Sequence, residues 1–236
     1  MHRKVSVIIP AKDEEATIGQ VLTKLNKVIE DIKNYDFEVI VVADHCRDDT
    51  SAISKKNNAS VIENNRKPGK GNALITGFEN ASGDIIIMMD ADYSHQPEDI
   101  YLFIKRIEEG AGLVIGSRTL GGSDEYEFVR LFGNIFLSSV FRLMFGVPLK
   151  DVLNGYKAFR REVVKNFNCS SAGFEIEIEL IANALLLGME VVEIPSHERE
   201  RAGGEMKSKA IKDGFRFLFK ILNEGLRYRL KFYKGR

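Results

Sequence analysis

The chain has 236 residues, 44% of them hydrophobic and 29% charged, with 34 basic and 34 acidic side chains. That is enough for one large α/β domain with a full core, and zero net charge excludes whole-molecule steering onto nucleic acid, so no nucleic-acid partner is expected. The two cysteines, Cys46 and Cys169, offer neither a disulfide framework nor metal-ligand spacing and fit a reducing compartment.

Taken in chain order, the sequence opens on Met1-His2-Arg3-Lys4 with no long apolar run behind it, so no signal peptide is expected. Residues 5–10 read as a first strand. Residues 17–33 follow with apolar positions at helical spacing, from Ile18, Val21, Leu22 and Leu25 to Ile32. Residues 37–43 form a second strand, 50–57 a short helix and 60–63 a short strand. A Gly- and Lys-containing loop spans 65–72, and a helix spans 73–81. Residues 84–89 contain Ile85-Ile86-Ile87-Met88-Met89, a continuous apolar run of the kind that forms a strand buried on both faces. Pro97 suits the first turn of the next helix, which runs to about Glu109, and residues 113–116 are another strand. Strands alternating with helices imply parallel βαβ units with right-handed crossovers.

After Arg118 the pattern changes. Residues 119–127 read as a polar loop, 128–145 as a long, aromatic-rich amphipathic segment, and 150–160 as irregular or strand-like. Residues 176–187 read as a buried helix, 191–195 as a strand that Pro195 ends, and a basic loop leads into a last helix from about Lys209. No stretch reaches about 18 uncharged apolar residues, the best being 178–189, so no membrane-spanning helix is expected. Between 207 and 236 stand ten basic residues against Asp213 and Glu224 alone, interleaved with Phe215, Phe217, Phe219, Leu222 and Leu226. This mixture suits either a helix lying on an anionic membrane surface or a core-packing helix with a solvated basic face.

Chemistry-bearing residues collect at the strand ends. Pro10-Ala11-Lys12-Asp13-Glu14 follows the first strand, Asp44 the second, and Asp90-Ala91-Asp92 the apolar run; Lys67-Pro68-Gly69-Lys70-Gly71-Asn72 precedes a helix. In open α/β sheets, ligands bind outside the carboxyl ends of the strands. Two acids at i and i+2 there can share a divalent cation, and that cation can hold a diphosphate. A solvated Asp pair in a turn is the plainer alternative.

Together these motifs resemble the nucleotide-sugar-binding half of inverting family 2 glycosyltransferases, which have the GT-A fold. Ile115-Gly116-Ser117-Arg118, Asn154-Gly155-Tyr156-Lys157-Ala158-Phe159-Arg160, Val192-Glu193-Ile194-Pro195 and residues 201–209 narrow the resemblance to polyprenyl-phosphate sugar synthases, such as the dolichol-phosphate mannose and glucose synthases. The resemblance implies a GT-A-type single domain, with a mostly parallel central sheet and helices on both faces. It would divide into a nucleotide-sugar-binding half over about 1–118, an acceptor half over about 119–206, and a basic amphipathic C-terminal helix over about 207–236.

The resemblance also implies roles. Asp44 would bind the nucleobase; the family commonly has two adjacent acids there, whereas Ala43 precedes Asp44 here. Pro10, Lys12, Glu14, Lys70, Gly71, Asp90 and Ala91 would line the donor, and Asp90 and Asp92 would hold Mg2+ or Mn2+. Asp92 and Arg118 would be catalytic. Arg118, Arg130, Arg199 and Arg201 would grip the acceptor phosphate through planar guanidinium forks, together with Lys207 and Lys209, either of which is the lysine facing the diphosphate.

The implied reaction moves a hexose, mannose or glucose, from a GDP-mannose or UDP-glucose type donor to a polyprenyl or dolichyl monophosphate. The enzyme would work as a peripheral protein on the cytoplasmic face of a membrane, with an anionic lipid surface and a possible membrane subunit as partners. A phosphate oxygen is already ionised at neutral pH and needs no strong base, whereas a hydroxyl acceptor would need one, for which Asp151, Glu175, Glu177 and Glu179 are available. Two other readings fit the same residues: a soluble family 2 enzyme with a hydroxyl acceptor, and a non-catalytic sugar-nucleotide-binding protein.

Overall fold

The computed structural model describes residues 3–124, 128–165, 167–203 and 210–233. In chain order they form β1 (Arg3–Ala11), α1 (Ile18–Asp31), β2 (Tyr35–Ala43), α2 (Thr50–Lys56), β3 (Ser60–Glu63), α3 (Lys70–Asn80), β4 (Ile85–Met88), α4 (Ile100–Glu108), β5 (Leu113–Ser117), the short α5 (Arg118–Gly121), α6 (Phe128–Phe145), β6 (Lys157–Arg160), α7 (Ile176–Leu186), β7 (Val191–Pro195) and α8 (Ala210–Tyr233). The strands make one sheet in the order β3-β2-β1-β4-β6-β5-β7.

The apolar strand runs are explained by burial on both faces. Ile8, Ile86 and Met88 point to one side, where they meet Leu74 and Phe78 of α3, Phe141 of α6, Ile178 and Ile181 of α7, and Ile221 of α8. Val5, Val7, Ile9, Ile85 and Ile87 point to the other, against Ile18, Val21 and Leu22 of α1 and Ile100, Phe103 and Ile107 of α4. Each such side chain taken fully out of water contributes about 1.5–3 kcal/mol, which is why the two-sided strands tolerate almost no polar residue.

All neighbouring strands are parallel except β6, which runs antiparallel to both β4 and β5. The parallel register ends β1 and β2 together, with Ala11 opposite Ala43, and places Ile8 opposite Met88. Pro10–Glu14, Asp44 and the Asp90 turn therefore leave the sheet along one edge. Because β6 runs backwards, it is its beginning, not its end, that lies on this edge. Lys157 pairs with Met88 on one side and Ile115 on the other, so Asn154-Gly155-Tyr156 enters beside the acids.

Three elements differ from the sequence reading. The loop expected over 119–127 begins instead with a helical turn, Arg118–Gly121. Helix α3 starts at Lys70, three residues early. A cation in the first helical turn opposes the helix dipole, and here two carboxylates compensate for it. Helix α6, at 18 residues, is long and apolar enough to cross a membrane. Arg130 and Arg142 had interrupted the uncharged count that argued otherwise. One stripe of α6, including Leu137, Phe141 and Phe145, is buried in the domain.

Candidate active site

A cavity of about 1010 Å3 opens along the carboxyl edge of the sheet. Pro10, Lys12, Glu14, Asp44, Lys70, Asp90, Ala91 and Asp92 line it, together with Arg118, Arg130 and Arg201. The lining also has an apolar part, Val129, Leu131 and Ile135 of α6 with Leu153 and Phe217, and Phe174, whose ring lies 5.4 Å from Lys70 Nζ. Of the residues singled out from sequence, Gly71 and Arg199 are not among the lining, and Lys207 and Lys209 lie outside the described residues. A second pocket, between Phe167 and Glu224, has about 60 Å3 and is too small for a nucleotide.

Asp44, at the end of β2, is buried and already works as an anchor. Its Oδ1 accepts from Asn64 Nδ2 at 2.7 Å, and its Oδ2 accepts from the Gly69 backbone N–H at 2.8 Å. It thereby ties the loop before α3 to the end of β2. Gly71 packs instead on the 171–173 backbone. Its N–H donates to the Ala172 carbonyl at 2.9 Å, and a Cβ would stand 2.3 Å from the Ser171 oxygen. Asp13, Cys46 and Asp48 also gather their ligand atoms within 4.8 Å. Their polar groups cap the surrounding turns: Asp13 accepts from the Arg47 N–H, and Asp48 from the N–H groups of Glu15 and Thr50.

The two acids after β4 are held differently. Asp92 Oδ1 accepts from the Ser94 N–H at 3.0 Å and its hydroxyl at 2.6 Å, while Oδ2 lies 3.1 Å from Arg201 Nη1. Arg201 also reaches Glu14, at 3.7 Å. The Asp90 N–H donates to His95 Nδ1 at 3.0 Å, so the ring proton sits on Nε2. His95 stacks on Tyr156, with ring centroids 4.7 Å apart. Asp90 Oδ1 lies 2.7 Å from Lys70 Nζ, which also approaches Glu177 Oε1 at 3.3 Å. Glu177 Oε2 accepts from Lys157 Nζ at 2.7 Å.

Burial alone would disfavour every charge in this chain of ions. The neighbouring charges reverse that for Lys70, whose ammonium is pushed up by Asp90 and Glu177, and for Asp90, whose carboxyl is pulled down mainly by Lys70. Lys157 remains depressed by its burial despite Glu177.

The donor set suits a hard divalent cation. Both acids offer carboxylate oxygens to the cavity, and the space beside Asp90 is kept open by Gly155: a Cβ there would lie 3.2 Å from Asp90 Oδ2 and 2.6 Å from Lys70 Nζ. Asp90 and Asp92 are the residues that fit such an ion.

After β5, Arg118 is gripped by Asp151. Its Nε and Nη2 donate to the two carboxylate oxygens at 2.8 Å each, and its backbone N–H adds a third bond at 2.9 Å. Nη1 lies 3.3 Å from Glu198. Asp151 is fully buried, and Glu193 in turn accepts its N–H at 2.8 Å. Burial would raise the Asp151 carboxyl, but Arg118 holds it below the usual carboxylate range. Arg130 lines the cavity from α6. Arg199 turns aside: Nη2 donates to Gln96 at 3.2 Å and the guanidinium lies 5.6 Å over the Tyr93 ring.

Sequence reasoning gave no role to Gly155, Lys157, Phe174 or Glu198. For Lys157 a signal existed: a lone lysine inside the otherwise apolar Tyr156-Lys157-Ala158-Phe159 needs a buried partner. Glu177, inside a nearly all-apolar helix, is that partner.

Comparisons with known proteins agree with this geometry. The chain is 31% identical to the dolichol-phosphate mannosyltransferase of Pyrococcus furiosus over 93% of its own length and 64% of the relative's, so it spans less than two thirds of that protein. It is 28% identical to the polyprenol monophosphomannose synthase of Mycolicibacterium smegmatis, over 99% of this chain and 91% of that one. Glucosyl-3-phosphoglycerate synthase from Mycobacterium tuberculosis, crystallised with Mn2+, UDP and phosphoglyceric acid, superposes with a TM-score of 0.75 at 23% identity, over 94% of this chain and 78% of the other, which establishes the GT-A-like fold. Residues 6–167 match the family model described as glycosyl transferase family 2, and with the acids and the cavity at its sheet edge the chain belongs to that family.

Proposed function

We propose that the protein transfers a hexose from a nucleoside-diphosphate sugar to a polyprenyl monophosphate, with inversion at the anomeric carbon. The observation that carries the reading is the cavity itself. Its lining carboxylates and Lys70 suit a nucleoside diphosphate with a cation, and the same cavity is lined by Arg118 and Arg130 and by apolar side chains of α6 and Phe217 of α8. An acceptor with a phosphate head and a hydrocarbon tail matches that combination of surfaces. The curated relatives named above are mannosyltransferases and synthases of lipid-phosphate sugars, which supports the same acceptor class.

In this reading, Asp44 and the Gly69 loop hold the nucleoside, and Asp90 and Asp92 hold Mg2+ or Mn2+. The cation would screen the diphosphate charge that develops as the anomeric C–O bond breaks. Arg118 and Arg130 orient the acceptor phosphate, whose ionised oxygen attacks the anomeric carbon from the opposite face. Residues 1–118 serve mainly the donor, 119–206 the acceptor, and 207–236 the membrane.

A peripheral position on the cytoplasmic face of a membrane fits the surface. On α6, Phe128 is 78% exposed and Phe132 67%; on α8, Phe219 is 71% exposed. The two helices pack together, with Phe145 against Tyr228 at 5.2 Å, and α8 adds the exposed Leu226 and Leu230 and the basic Arg216, Arg227 and Arg229. Aromatic and basic residues together suit an anionic lipid surface.

The test supplies GDP-mannose and UDP-glucose in turn, with Mn2+ and a polyprenyl phosphate, and measures label extracted into organic solvent. Transfer by the native protein and its loss in Asp92→Asn are expected. Label found only in water-soluble product, with a hydroxyl acceptor, would replace this reading by the soluble-acceptor one.

A further inference from the structure

The ion chain behind Asp90 has one feature that simple neutralisation does not require. Glu177 is almost completely buried, yet only one of its oxygens is hydrogen-bonded, to Lys157. Its Oε1 has no close donor: the nearest cation, Lys70 Nζ, stands 3.3 Å away. Lys70 is instead hydrogen-bonding distance from Asp90, at 2.7 Å. Buried carboxylate oxygens are seldom left without a donor. Lys70 thus stands between two carboxylates within reach of one flexible side chain, nearer Asp90 at 2.7 Å than Glu177 at 3.3 Å. Gly155 leaves the path between them clear, since any Cβ there would meet Lys70 Nζ, Asp90 and Glu177 together.

The geometry points to Lys70 as a resident counter-ion that occupies Asp90 before a divalent cation does, and to Glu177 Oε1 as the place Lys70 moves to when the cation arrives. The proposal rests on the reading of Asp90 and Asp92 as cation ligands and adds a regulation of that site. Lys70 makes free cation a weak ligand, because an ammonium must first leave Asp90. Glu177 lowers the cost of that departure by supplying a waiting acceptor, its other oxygen already neutralised by Lys157. The metal is then admitted chiefly together with the anionic donor, whose diphosphate adds the negative charge that the crowded cations need. Lys70 and Glu177 are positioning residues in this scheme.

The test measures Mn2+ binding without nucleotide, by electron paramagnetic resonance of the free ion, for the native protein, Lys70→Met, Lys70→Arg, Glu177→Gln and the Met/Gln double variant. Lys70→Met should bind Mn2+ at least tenfold more tightly, and Lys70→Arg should not. Glu177→Gln should bind it about tenfold more weakly, and this loss should vanish in the double variant, where no lysine needs the vacated acceptor. A plain electrostatic role of Glu177 would give the same loss with and without Lys70, and that result overturns the proposal. So does Mn2+ affinity in Lys70→Met equal to or below native, or no Mn2+ binding in any variant. If Glu177→Gln does not fold, the comparison of the two Lys70 variants with the native protein decides alone. Mn2+ binding by the native protein in the presence of UDP or GDP is measured in parallel; its absence would remove the metal site and with it the proposed function, whereas its presence leaves that function standing whatever the Lys70 variants do.

Discussion

Replacing Arg118 by alanine should weaken the fold before it weakens any acceptor contact. Asp151 is fully buried, and Arg118 supplies two of the hydrogen bonds on its carboxylate, at 2.8 Å each, and the nearest full positive charge. Only the backbone N–H of residue 118 would remain of that grip. Removing one partner of a buried ion pair costs about 3–5 kcal/mol, because the other charge stays buried without compensation. The surviving backbone bond argues for the lower end, about 3 kcal/mol. The pH dependence should reverse as well. In the native protein the folded Asp151 carboxyl lies below its unfolded value, so its contribution is present above the unfolded value of about 4 and is lost as pH falls through the folded one. In Arg118→Ala, burial without a partner raises the carboxyl. The folded state then binds a proton that the unfolded state has released, and stability falls as pH rises. Urea unfolding of both proteins at about pH 5 and pH 7 measures this. A loss below about 1 kcal/mol at pH 7, with a pH dependence parallel to native, would refute the argument. Arg118→Ala with Asp151→Asn should recover most of the loss.

Gly155→Ala should cost only about 1 kcal/mol of stability, since the nearest atom to its Cβ is the tip of a flexible lysine, but it should break the Lys70–Asp90 pair and weaken Mn2+-dependent nucleotide binding; an unchanged thermal shift with UDP or GDP and Mn2+ would count against that site. Asp44→Asn should cost nucleotide affinity about 1–3 kcal/mol, because an amide cannot accept from both Asn64 and the Gly69 N–H; calorimetry with GDP and UDP checks it, and native affinity for both would remove Asp44 from the donor site. Serine at Phe132, Phe136 and Phe219 together should cut co-sedimentation with anionic vesicles at least tenfold while leaving urea stability within about 0.5 kcal/mol per site, as these side chains are solvent-facing; undiminished pelleting would place the membrane contact elsewhere.

The site acids were legible in the sequence because they follow a run, Ile85–Met88, that only a two-sided strand can use, and polar residues just past such a run must lie at the sheet edge. The parallel half of the sheet was legible for the same reason. What pairs with what was not. Lys157 and Glu177 are 20 residues apart, and Arg118 and Asp151 33 apart; no local period links such positions. The resemblance implied a phosphate role for Arg118, but its three N–H bonds to the Asp151 carboxylate could not be read from the sequence. Lys70 read as part of a Gly- and Lys-containing loop, whereas it opens α3; a cation there opposes the helix dipole, and the carboxylates that offset it lie far off in sequence. The reversed direction of β6 left no trace, since four residues alternate alike whichever way they run.

That reversed strand has a consequence for how the molecule can be altered. The chain leaves the sheet at Ser117 and returns to it at Lys157, and the two ends of the excursion are fastened to one another by Arg118 and Asp151 and by the Thr119 hydroxyl on the Lys150 carbonyl at 3.3 Å. The two ends of the segment that carries α6 are thus joined by a closed clasp, like a pendant whose chain is fastened at the neck. The buried stripe of α6, Leu137, Phe141 and Phe145, nevertheless shares a core with Ile86 and Met88 of the strand that leads to Asp90, so only the exposed and cavity-facing positions of the helix can be exchanged without disturbing that strand. Exchanging the cavity-facing Val129, Leu131 and Ile135, while keeping Arg118, Asp151 and that buried stripe, is therefore the simplest way to change what the cavity accepts beside α6 while the residues around Asp90 stay as they are.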